Sequence, residues 1–407
     1  MRWWYPEGLP EEVRQEHLAS FSVVFVFWLA GFFIQGLFEI QALRNLGQLL
    51  ARLAGALFFN LLLASVYFYF QPALVLTPRR FLLAVLALSG LFVFVWYLIV
   101  RFGTQRLRIE RLYTLGSGQL PEALVEVIRD HYFTGLRFGG VYTVGSDMPK
   151  LLPANSNIIL PHTGAVPGEH MEHLLTLQRQ GVHFVPAHVL YERLVRRVYS
   201  PALSELWFLE NVSYRRRRGY DIVKRGIDIL AGLIGLVVLA AVLAVIALVI
   251  KTTSQGPIFF SQGRVGQNNR PFTIRKFRTM RMGVNDTWTV PGDARITFVG
   301  NILRRLRVDE LPQAWNLLVG EMSIVGPRPE QVHIVEELKK QIPFYSERHV
   351  VKPGLTGWAQ LHVYASTVEE TKRKLEYDLY YIKHRSLLFD VEIILKTIYH
   401  VLVGSGR

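Results

Sequence analysis

The sequence contains no cysteine among its 407 residues. Disulfides, thiolate metal sites and a cysteine nucleophile are therefore excluded, whereas the redox compartment stays open. Acidic residues are also few relative to basic ones, since 32 Asp and Glu stand against 46 Lys and Arg and give a formal net charge of +14. This surplus favours acidic partners, and nucleic acid, anionic lipid and sugar nucleotides all qualify.

Apolar residues make up 50% of the chain and the mean hydropathy is +0.23, which is typical of a membrane protein with a basic, water-facing part. Three apolar runs, residues 21–38, 53–70 and 81–100, approach the length of about 20 residues that a helix needs to cross a bilayer. We therefore predict three transmembrane helices within residues 1–104. A nucleic-acid-binding protein would explain the charge but not these runs, so we expect no nucleic-acid partner.

A fourth apolar run extends over the 22 residues from Ile229 to Ile250. Basic residues lie on both sides of it, with Arg215–Arg218 and Lys224 before it and Lys251 and Arg264 after it. Because positive charge marks the cytoplasmic side of a membrane, a re-entrant helix satisfies both flanks and a spanning helix does not. The basic residues that follow the third helix likewise predict that the chain from residue 101 onward is cytoplasmic.

A soluble α/β domain is predicted over residues 105–205. The strand-like run Ile109–Leu115 leads into Gly116-Ser117-Gly118 and then into a helical pattern, Leu120–Ile128. Strand, glycine turn and helix form the opening of a nucleotide-binding unit, and Ile158–Pro161 and Val182–Val185 resemble further strands. Pro121 stands where a third glycine is required, so dinucleotide binding and a structural or regulatory Rossmann-like domain both stay open.

A β-hairpin is predicted between residues 256 and 280. Apolar and basic residues alternate on either side of an asparagine turn at Gln267-Asn268-Asn269. One face of the hairpin would direct Arg275, Lys276 or Arg278 toward an anion. A basic ribbon that holds lipid headgroups is the alternative.

Two adjacent acids, Asp309 and Glu310, follow the basic residues Arg304, Arg305 and Arg307. A carboxylate beside fixed guanidinium groups stays ionised, and it can then attack phosphorus or hold a divalent metal. On spacing alone, a surface ion-pair network is the common alternative. Two later loops, Gly326–Glu330 and Lys352–Gln360, combine glycine, proline and a cation, as the recognition of a diphosphate requires.

Residues 221–407 resemble one family almost without a gap, and six ordered segments carry the resemblance. It is the bacterial sugar transferases, the monotopic polyprenyl-phosphate phosphoglycosyl transferases. The segments are Lys224–Asp228, Gly256–Phe260, Lys276–Met280, Asp309–Gln313, Met322–Pro329 and Lys352–Gln360. Arg348-His349 and Tyr380–Lys383 further resemble the branch associated with exopolysaccharide synthesis.

The resemblance implies transfer of a hexose 1-phosphate from a UDP-sugar to undecaprenyl phosphate. UMP would be released, and the lipid-linked product would begin exopolysaccharide or capsule synthesis. Asp309 would attack the β-phosphate and form a covalent phospho-aspartyl intermediate, and Glu310 would hold Mg²⁺. A catalytically silent membrane scaffold or regulator of polysaccharide assembly is the alternative.

The resemblance also implies a set of substrate-binding residues. Arg328 is the first candidate for clamping a phosphate, supported by Arg278 and Arg304. Trp358 and Gln360 resemble the family's uridine-side loop, although a helix-packing tryptophan is the alternative for Trp358. The basic candidates Lys276 and Lys352 complete the expected set.

The expected fold is membrane α plus α/β: transmembrane helices, a Rossmann-like insert and a mostly helical catalytic domain over residues 206–407. This domain would contain the hairpin and the re-entrant helix 229–250. Family members usually carry a proline in the middle of that helix, whereas Ala241 stands at this position here, so the break stays open. We expect a homodimer in the bacterial inner membrane with its catalytic domain on the cytoplasmic face. A C-terminal helix over residues 387–403 would lie at the membrane interface or pack in the core.

Overall fold

The computed structural model describes most of the chain. It covers residues 11–37, 46–70, 79–106, 110–115, 124, 136–142, 152, 156–160, 168–212, 217–238, 240–253, 255–281, 295–305 and 308–402. The chain divides into two compact units, Met1–Leu190 and Tyr191–Arg407. The predicted division into domains at residues 105 and 206 stays a prediction.

Three apolar helices begin the first unit. They are α1 (Glu11–Ile34), α2 (Leu46–Tyr69) and α3 (Arg79–Arg106). Two helical stretches within the described residues are long and apolar enough to cross a membrane, Leu49–Tyr69 and Leu82–Ile99. The apolar part of α1, Leu18–Ile34, is shorter. Helix α1 ends at Ile34, four residues before the end of the predicted helix, and its role as a third span stays a prediction.

Four short strands of the first unit form a parallel sheet in the order β2-β1-β3-β4. They are β1 (Glu110–Leu115), β2 (Leu136–Tyr142), β3 (Asn157–Leu160) and β4 (His183–Pro186), and helix α4 (Gly168–Arg179) precedes β4. The three strands that the sequence predicts coincide with β1, β3 and β4. The Gly116-Ser117-Gly118 turn and most of the predicted helix after it lie outside the described residues, so a Rossmann-like nucleotide site stays a prediction.

Helix α5 (Ala187–Val195) leads from the first unit into the second, which is mostly helical. The other helices of the second unit are α6 (Glu205–Asn211), α7 (Arg218–Leu233), α8 (Ala240–Thr253), α9 (Phe298–Arg305), α10 (Ala314–Val319), α11 (Val332–Gln341), α12 (Val368–His384) and α13 (Leu387–Leu402). Two small sheets accompany them, the hairpin β5 (Phe259–Val265) and β6 (Pro271–Phe277), and the parallel pair β7 (Ser323–Val325) and β8 (Gly354–Thr356).

The core of the second unit draws on segments that are far apart along the chain. Trp207 and Phe208 of α6 are buried in the same cluster as Trp358, Tyr381 and Ile393. The segment from residue 191 to residue 212 therefore packs inside the second unit. Helix α13 contributes Phe389 and Ile393 to this core, so the core-packing alternative for the C-terminal helix accounts for its buried face.

The fourth apolar run forms two helices, α7 and α8, on either side of a π-helical turn at Ile234–Val238. The axes of the pair are bent by 56°. A π-helical turn is an established cause of helix kinks, so the bend has a physical basis although Ala241 replaces the proline. The geometry fits a broken span as well as a re-entrant loop, so the re-entrant topology stays a prediction.

Two glycines allow the apolar helix to approach α10 closely. A Cβ atom at Gly232 would lie 3.0 Å from the carbonyl oxygen of Ala314, and one at Gly235 would lie 3.0 Å from the Ala314 Cβ. Arg225, two turns before Gly232 on α7, donates to the carbonyl oxygens of Leu317 and Leu318 over 2.5 and 2.6 Å. Arg225 therefore caps the C-terminal end of α10, where the Leu317 carbonyl oxygen also accepts from Gly320 N over 3.2 Å.

Candidate active site

Asp309 and Glu310 lie on a 3₁₀-helical turn, Val308–Gln313, that leads directly into α10. Asp309 is 8% exposed. The Oε1 atom of Glu310 accepts hydrogen bonds from Lys276 Nζ at 2.7 Å and from Arg328 Nη2 at 3.3 Å. One carboxylate oxygen thus brings together residues from the hairpin, the acidic turn and the loop after β7.

The hairpin places Lys276 at this site. Strands β5 and β6 pair antiparallel from Phe259↔Phe277 to Val265↔Pro271, which confirms the predicted hairpin. Asn268 and Asn269 adopt φ angles of 55° and 59°, a left-handed conformation that asparagine tolerates better than most residues. Because side chains alternate along a strand, Lys276 is partly buried while its neighbour Arg275 is exposed.

Arg328 and Gln360 are placed by two loops whose backbones touch. Strands β7 and β8 pair in parallel, and Gly326 N donates to Thr356 O over 2.9 Å. A Cβ atom at Gly354 would lie 2.1 Å from the nitrogen of Gly326, so the crossing requires glycine. Beyond the crossing, Arg328 Nη1 donates to Gln360 Oε1 over 3.4 Å. The Arg328 side chain keeps 36% of its surface exposed.

Arg304 lies on α9, whose first turn packs against the end of the hairpin. Its Nε donates to Thr279 Oγ1 over 2.9 Å. The Thr297 hydroxyl accepts from Gly300 N over 2.9 Å and so caps the start of the helix. Arg278 is 5% exposed beside Thr279, and its backbone N–H donates to Ile258 O over 2.9 Å.

Arg348 is a buried arginine that contacts the backbone of Arg328. In the sequence it only contributed to the resemblance to a branch of the family. Arg348 is 1% exposed, and its Nη2 atom lies 2.7 Å from Asp378 Oδ2 and donates to the Arg328 carbonyl oxygen over 3.1 Å. Its Nη1 donates to the Tyr345 hydroxyl over 2.7 Å. Burial of a guanidinium requires such partners, and the Arg-His pair in the sequence gave no indication of them.

Glu330 lies two residues after Arg328 and faces the cations Lys374, Arg348 and Arg264. Burial alone would raise the pKa of its carboxyl, but Lys374 and Arg348 outweigh burial and lower that pKa to about 2. Glu330 is therefore fully ionised at neutral pH and belongs to the support of the Arg328 loop.

Burial shifts the pKa of Asp309. The pKa of Asp309 is raised above its usual value, first because the carboxyl is desolvated and second because Glu310 lies next to it. Lys276 and Arg304 lower that pKa without reversing the shift. The direction of this shift is opposite to the one that the nearby arginines alone would produce, because burial was invisible in the sequence. Burial likewise lowers the pKa of Lys276, and Glu310 partly restores it.

Two predicted substrate-binding residues, Lys352 and Trp358, have observed partners other than Asp309 and Glu310. The pKa of Lys352 is lowered by burial and then by Arg225, and Asp228 opposes the shift, so the charges that act on Lys352 belong to α7. Trp358 is 2% exposed and donates its Nε1 hydrogen to Arg196 O over 2.9 Å. The packing alternative accounts for these Trp358 contacts, and its role in uridine binding stays a prediction.

The donor set suits a metal that is shared with a substrate. Within the described residues there is no cluster of three or more His, Asp and Glu side chains that could hold a metal ion. Mg²⁺ is commonly bound by one or two protein carboxylates, with the other ligands supplied by phosphate and water. Asp309 and Glu310 supply such a pair, and Mg²⁺ at Glu310 stays a prediction.

Comparison with known proteins identifies the class. The sequence pattern of the bacterial sugar transferase family matches residues 219–404. The exopolysaccharide production protein PSS of Rhizobium leguminosarum bv. phaseoli is 40% identical over 199 residues, which cover 46% of this chain and 98% of that protein. The chain therefore belongs to the bacterial sugar transferase family, as its motifs predicted.

Two further relatives carry more specific names. A UDP-N-acetylgalactosamine-undecaprenyl-phosphate N-acetylgalactosaminephosphotransferase of Aeromonas hydrophila is 47% identical over 191 residues. A UDP-glucose:undecaprenyl-phosphate glucose-1-phosphate transferase of Escherichia coli (strain K12) is 42% identical over 191 residues. Each match covers 46% of this chain, and it covers 45% of the first relative and 41% of the second. The chain thus matches less than half the length of either of them.

Proposed function

We propose that this protein transfers a hexose 1-phosphate from a UDP-sugar to undecaprenyl phosphate and releases UMP. The observation that carries the proposal is the shared Oε1 atom of Glu310, which Lys276 and Arg328 both contact beside the buried Asp309. Two cations converging next to a carboxylate nucleophile supply what phosphoryl transfer requires, namely charge compensation and positioning. The printed names of the relatives support the same class of reaction.

The proposed reaction has two displacements at the β-phosphorus of the donor. A carboxylate oxygen of Asp309 attacks this atom, the bond to the bridging oxygen breaks, and UMP leaves with that oxygen. A phosphate oxygen of undecaprenyl phosphate then attacks the same phosphorus and displaces the carboxylate. The lipid diphospho-sugar results and Asp309 is restored. One phosphoanhydride replaces another, so the overall reaction needs little driving force.

The surrounding side chains have distinct proposed roles. Arg328, which is partly exposed, contacts the phosphate oxygens, and Lys276 offsets the negative charge that gathers beside Asp309. Glu310 holds Mg²⁺, which supplies charge neutralisation of the diphosphate when bound. Gln360 orients the Arg328 guanidinium through the 3.4 Å hydrogen bond.

We propose a membrane setting for this chemistry. The two long apolar helices of the first unit anchor the protein, and the bent pair α7 and α8 re-enters the cytoplasmic face of the inner membrane. Because the chain has no cysteine, a single cysteine placed at Arg218 or at Arg270 is the only thiol of the protein, and its labelling in intact cells can be read on the purified chain. Equal protection of both sites supports re-entry, whereas labelling of only one shows that the pair spans. Cross-linking of the purified protein would test the expected homodimer.

The decisive experiment measures UMP release by the detergent-solubilised protein with Mg²⁺, undecaprenyl phosphate and a panel of donors. The panel contains UDP-glucose, UDP-galactose and UDP-N-acetylgalactosamine, because the names of the relatives differ in the sugar. Release that requires the lipid and one donor, and that Asp309→Asn abolishes, is the expected result. The exposed variant Glu336→Gln serves as the control. Absence of release from folded protein with every donor would favour the scaffold alternative.

A further inference from the structure

Arg196 lies outside the residues that match the family and contacts Trp358 in the loop that carries Gln360. Arg196 follows the last residue of α5, and its N–H donates to Glu192 O over 2.8 Å. Its φ angle is 57°, a left-handed conformation in which a long, non-glycine side chain is uncommon and costs free energy. Such a conformation persists only where the surrounding contacts fix it.

The side chain of Arg196 supplies those contacts. Its Nη1 and Nη2 atoms donate to the two carboxylate oxygens of Glu392 on α13 over 2.6 and 2.8 Å. This two-point geometry is specific to a guanidinium and fixes its plane. In that orientation the Arg196 Cζ atom lies 4.5 Å from the centre of the Trp358 ring, within the range of a cation–π contact.

The backbone of Arg196 holds the same tryptophan from a second direction. Its carbonyl oxygen accepts the Trp358 Nε1 hydrogen over 2.9 Å, and indole has no other hydrogen-bond donor. Arg196 thus contacts both the N–H of Trp358 and its ring face, which Lys396 Nζ also approaches at 5.2 Å. Since the ring is 2% exposed, it cannot rotate away without disturbing the core.

Trp358 in turn fixes the position of Gln360. It directly precedes a 3₁₀-helical turn, Ala359–Leu361, and its carbonyl oxygen accepts from Leu361 N over 3.3 Å. Gln360 on this turn accepts from Arg328 Nη1 at 3.4 Å, which is at the long limit for a hydrogen bond. A displacement of a few tenths of an ångström would therefore break this contact.

We propose that Arg196 is a positioning residue for the transfer reaction, acting through Trp358 and Gln360 on Arg328. The inference rests on the proposed function, since it assigns Arg328 to the phosphates. It extends the active site to the segment from residue 191 to residue 212, which lies outside the family match at residues 219–404. A purely structural arginine at the same place would stabilise the fold but would not act through Gln360.

A matched control lies in the same segment. Glu192 is 4% exposed and lies 2.6 Å from Lys383 on α12. Glu192→Gln therefore removes a buried ion pair between this segment and a helix of the core, while the contacts of Arg196 with Trp358 remain. Both Glu192→Gln and Arg196→Met should lower thermal stability, so a difference in activity between them isolates the positioning effect.

The test is a double-mutant cycle on UMP release. We expect Arg196→Met to lower kcat/KM about tenfold, as is usual for residues that orient an active-site side chain, and Glu192→Gln to change it less than about twofold. Arg196→Lys should recover only part of the loss, because an ammonium cannot form the two-point contact. In a Gln360→Ala background, Arg196→Met should cost less than about twofold more. A further loss of about tenfold in kcat/KM in that background, or full activity of Arg196→Met in the wild-type background, would overturn the inference.

A second readout does not depend on activity. The Gln360 and Leu361 amides donate to Gly357 O at 3.0 Å and Trp358 O at 3.3 Å, so their hydrogen exchange reports the order of the turn. We expect faster exchange at residues 357–361 in Arg196→Met than in Glu192→Gln, and equal exchange would contradict the inference. If wild-type protein releases no UMP with any donor, the proposed function fails, and the exchange data alone decide whether Arg196 holds the turn.

Discussion

Lys276 and Glu310 form an ion pair at 2.7 Å although 34 positions separate them in the sequence. Both side chains are mostly buried, with 19% and 16% of their surfaces exposed. The pair joins the basic hairpin to the acidic turn, so the cation that faces Asp309 is held in place before any substrate arrives. Pre-organised charge of this kind is the main source of catalytic power in phosphoryl transfer.

Replacement of Lys276 by Met should therefore lower kcat/KM for UMP release by roughly 100-fold, an order of magnitude typical for loss of one electrostatic contact in an active site. The adjacent Arg275 is exposed on the other face of β6 and supplies the control. Arg275→Met removes the same net charge and should change kcat/KM less than about twofold. Equal losses in the two variants would show that overall charge matters and the local pair does not.

Asp309→Asn should remove activity and yet leave the protein as stable at pH 7 or more stable. Burial and Glu310 raise the pKa of Asp309, so the folded state binds its proton more tightly than the unfolded state. The ionised group then opposes folding at neutral pH, and this cost disappears as pH falls through the raised pKa. Thermal unfolding in detergent at pH 7 and pH 4 measures the difference. A clear loss of stability at pH 7 would contradict this account.

Glu330→Gln should destabilise the second unit by roughly 3 kcal/mol at pH 7, since it leaves the buried Lys374 without its carboxylate partner and removes one of the two carboxylates that face Arg348. The pKa of Glu330 is lowered to about 2 from an ordinary value of 4.5. Its contribution is therefore complete above the ordinary value and is lost as pH falls toward 2, so the gap between wild type and variant should close over that range. Glu336→Gln removes an exposed i,i+3 pair with Lys339 and should change the free energy of unfolding by less than about 0.5 kcal/mol.

Gly354→Ala should disrupt the crossing of the two loops that present Arg328 and Gln360. The new Cβ would lie 2.1 Å from Gly326 N and 2.4 Å from Thr356 O, both of which are backbone atoms that cannot yield locally. We expect a loss of about 3 kcal/mol or more in stability, together with loss of UMP release. Gly226→Ala is the control, because nothing lies within 4 Å of its added Cβ and alanine favours a helix by about 1 kcal/mol. Wild-type stability of Gly354→Ala would show that the loops can separate.

The parts of the fold that sequence reasoning found are those with local signals. Alternating residues around Asn268 and Asn269 defined the hairpin, and short apolar runs defined β1, β3 and β4. The predicted first helix extends to residue 38 because apolar residues continue beyond Ile34, whereas the chain turns at residues 35–37. Hydropathy gives no information on the residue at which a backbone leaves its helix.

The candidate site was only partly visible in the sequence. Motifs pointed to Asp309, Glu310, Lys276, Arg328 and Gln360, and their grouping depends on backbone crossings that no local pattern encodes. The supports Arg348 and Arg196 were missed because their partners are far away along the chain: Asp378 for the first, and Glu392 and Trp358 for the second. The raised pKa of Asp309 followed from burial, which only the folded chain reveals.

The close packing of α7 on α10 has a practical consequence for protein engineering. On the first helix of the bent apolar pair, Arg225 caps the helix that follows Asp309, and Asp228 accepts from the Ser323 hydroxyl and from Ile324 N. Deletion of α7 and α8 would remove hydrogen-bond partners from the interior of the second unit and would expose the surface of α10 against which Gly232 packs. A water-soluble version must therefore keep both helices and exchange only their exposed apolar side chains.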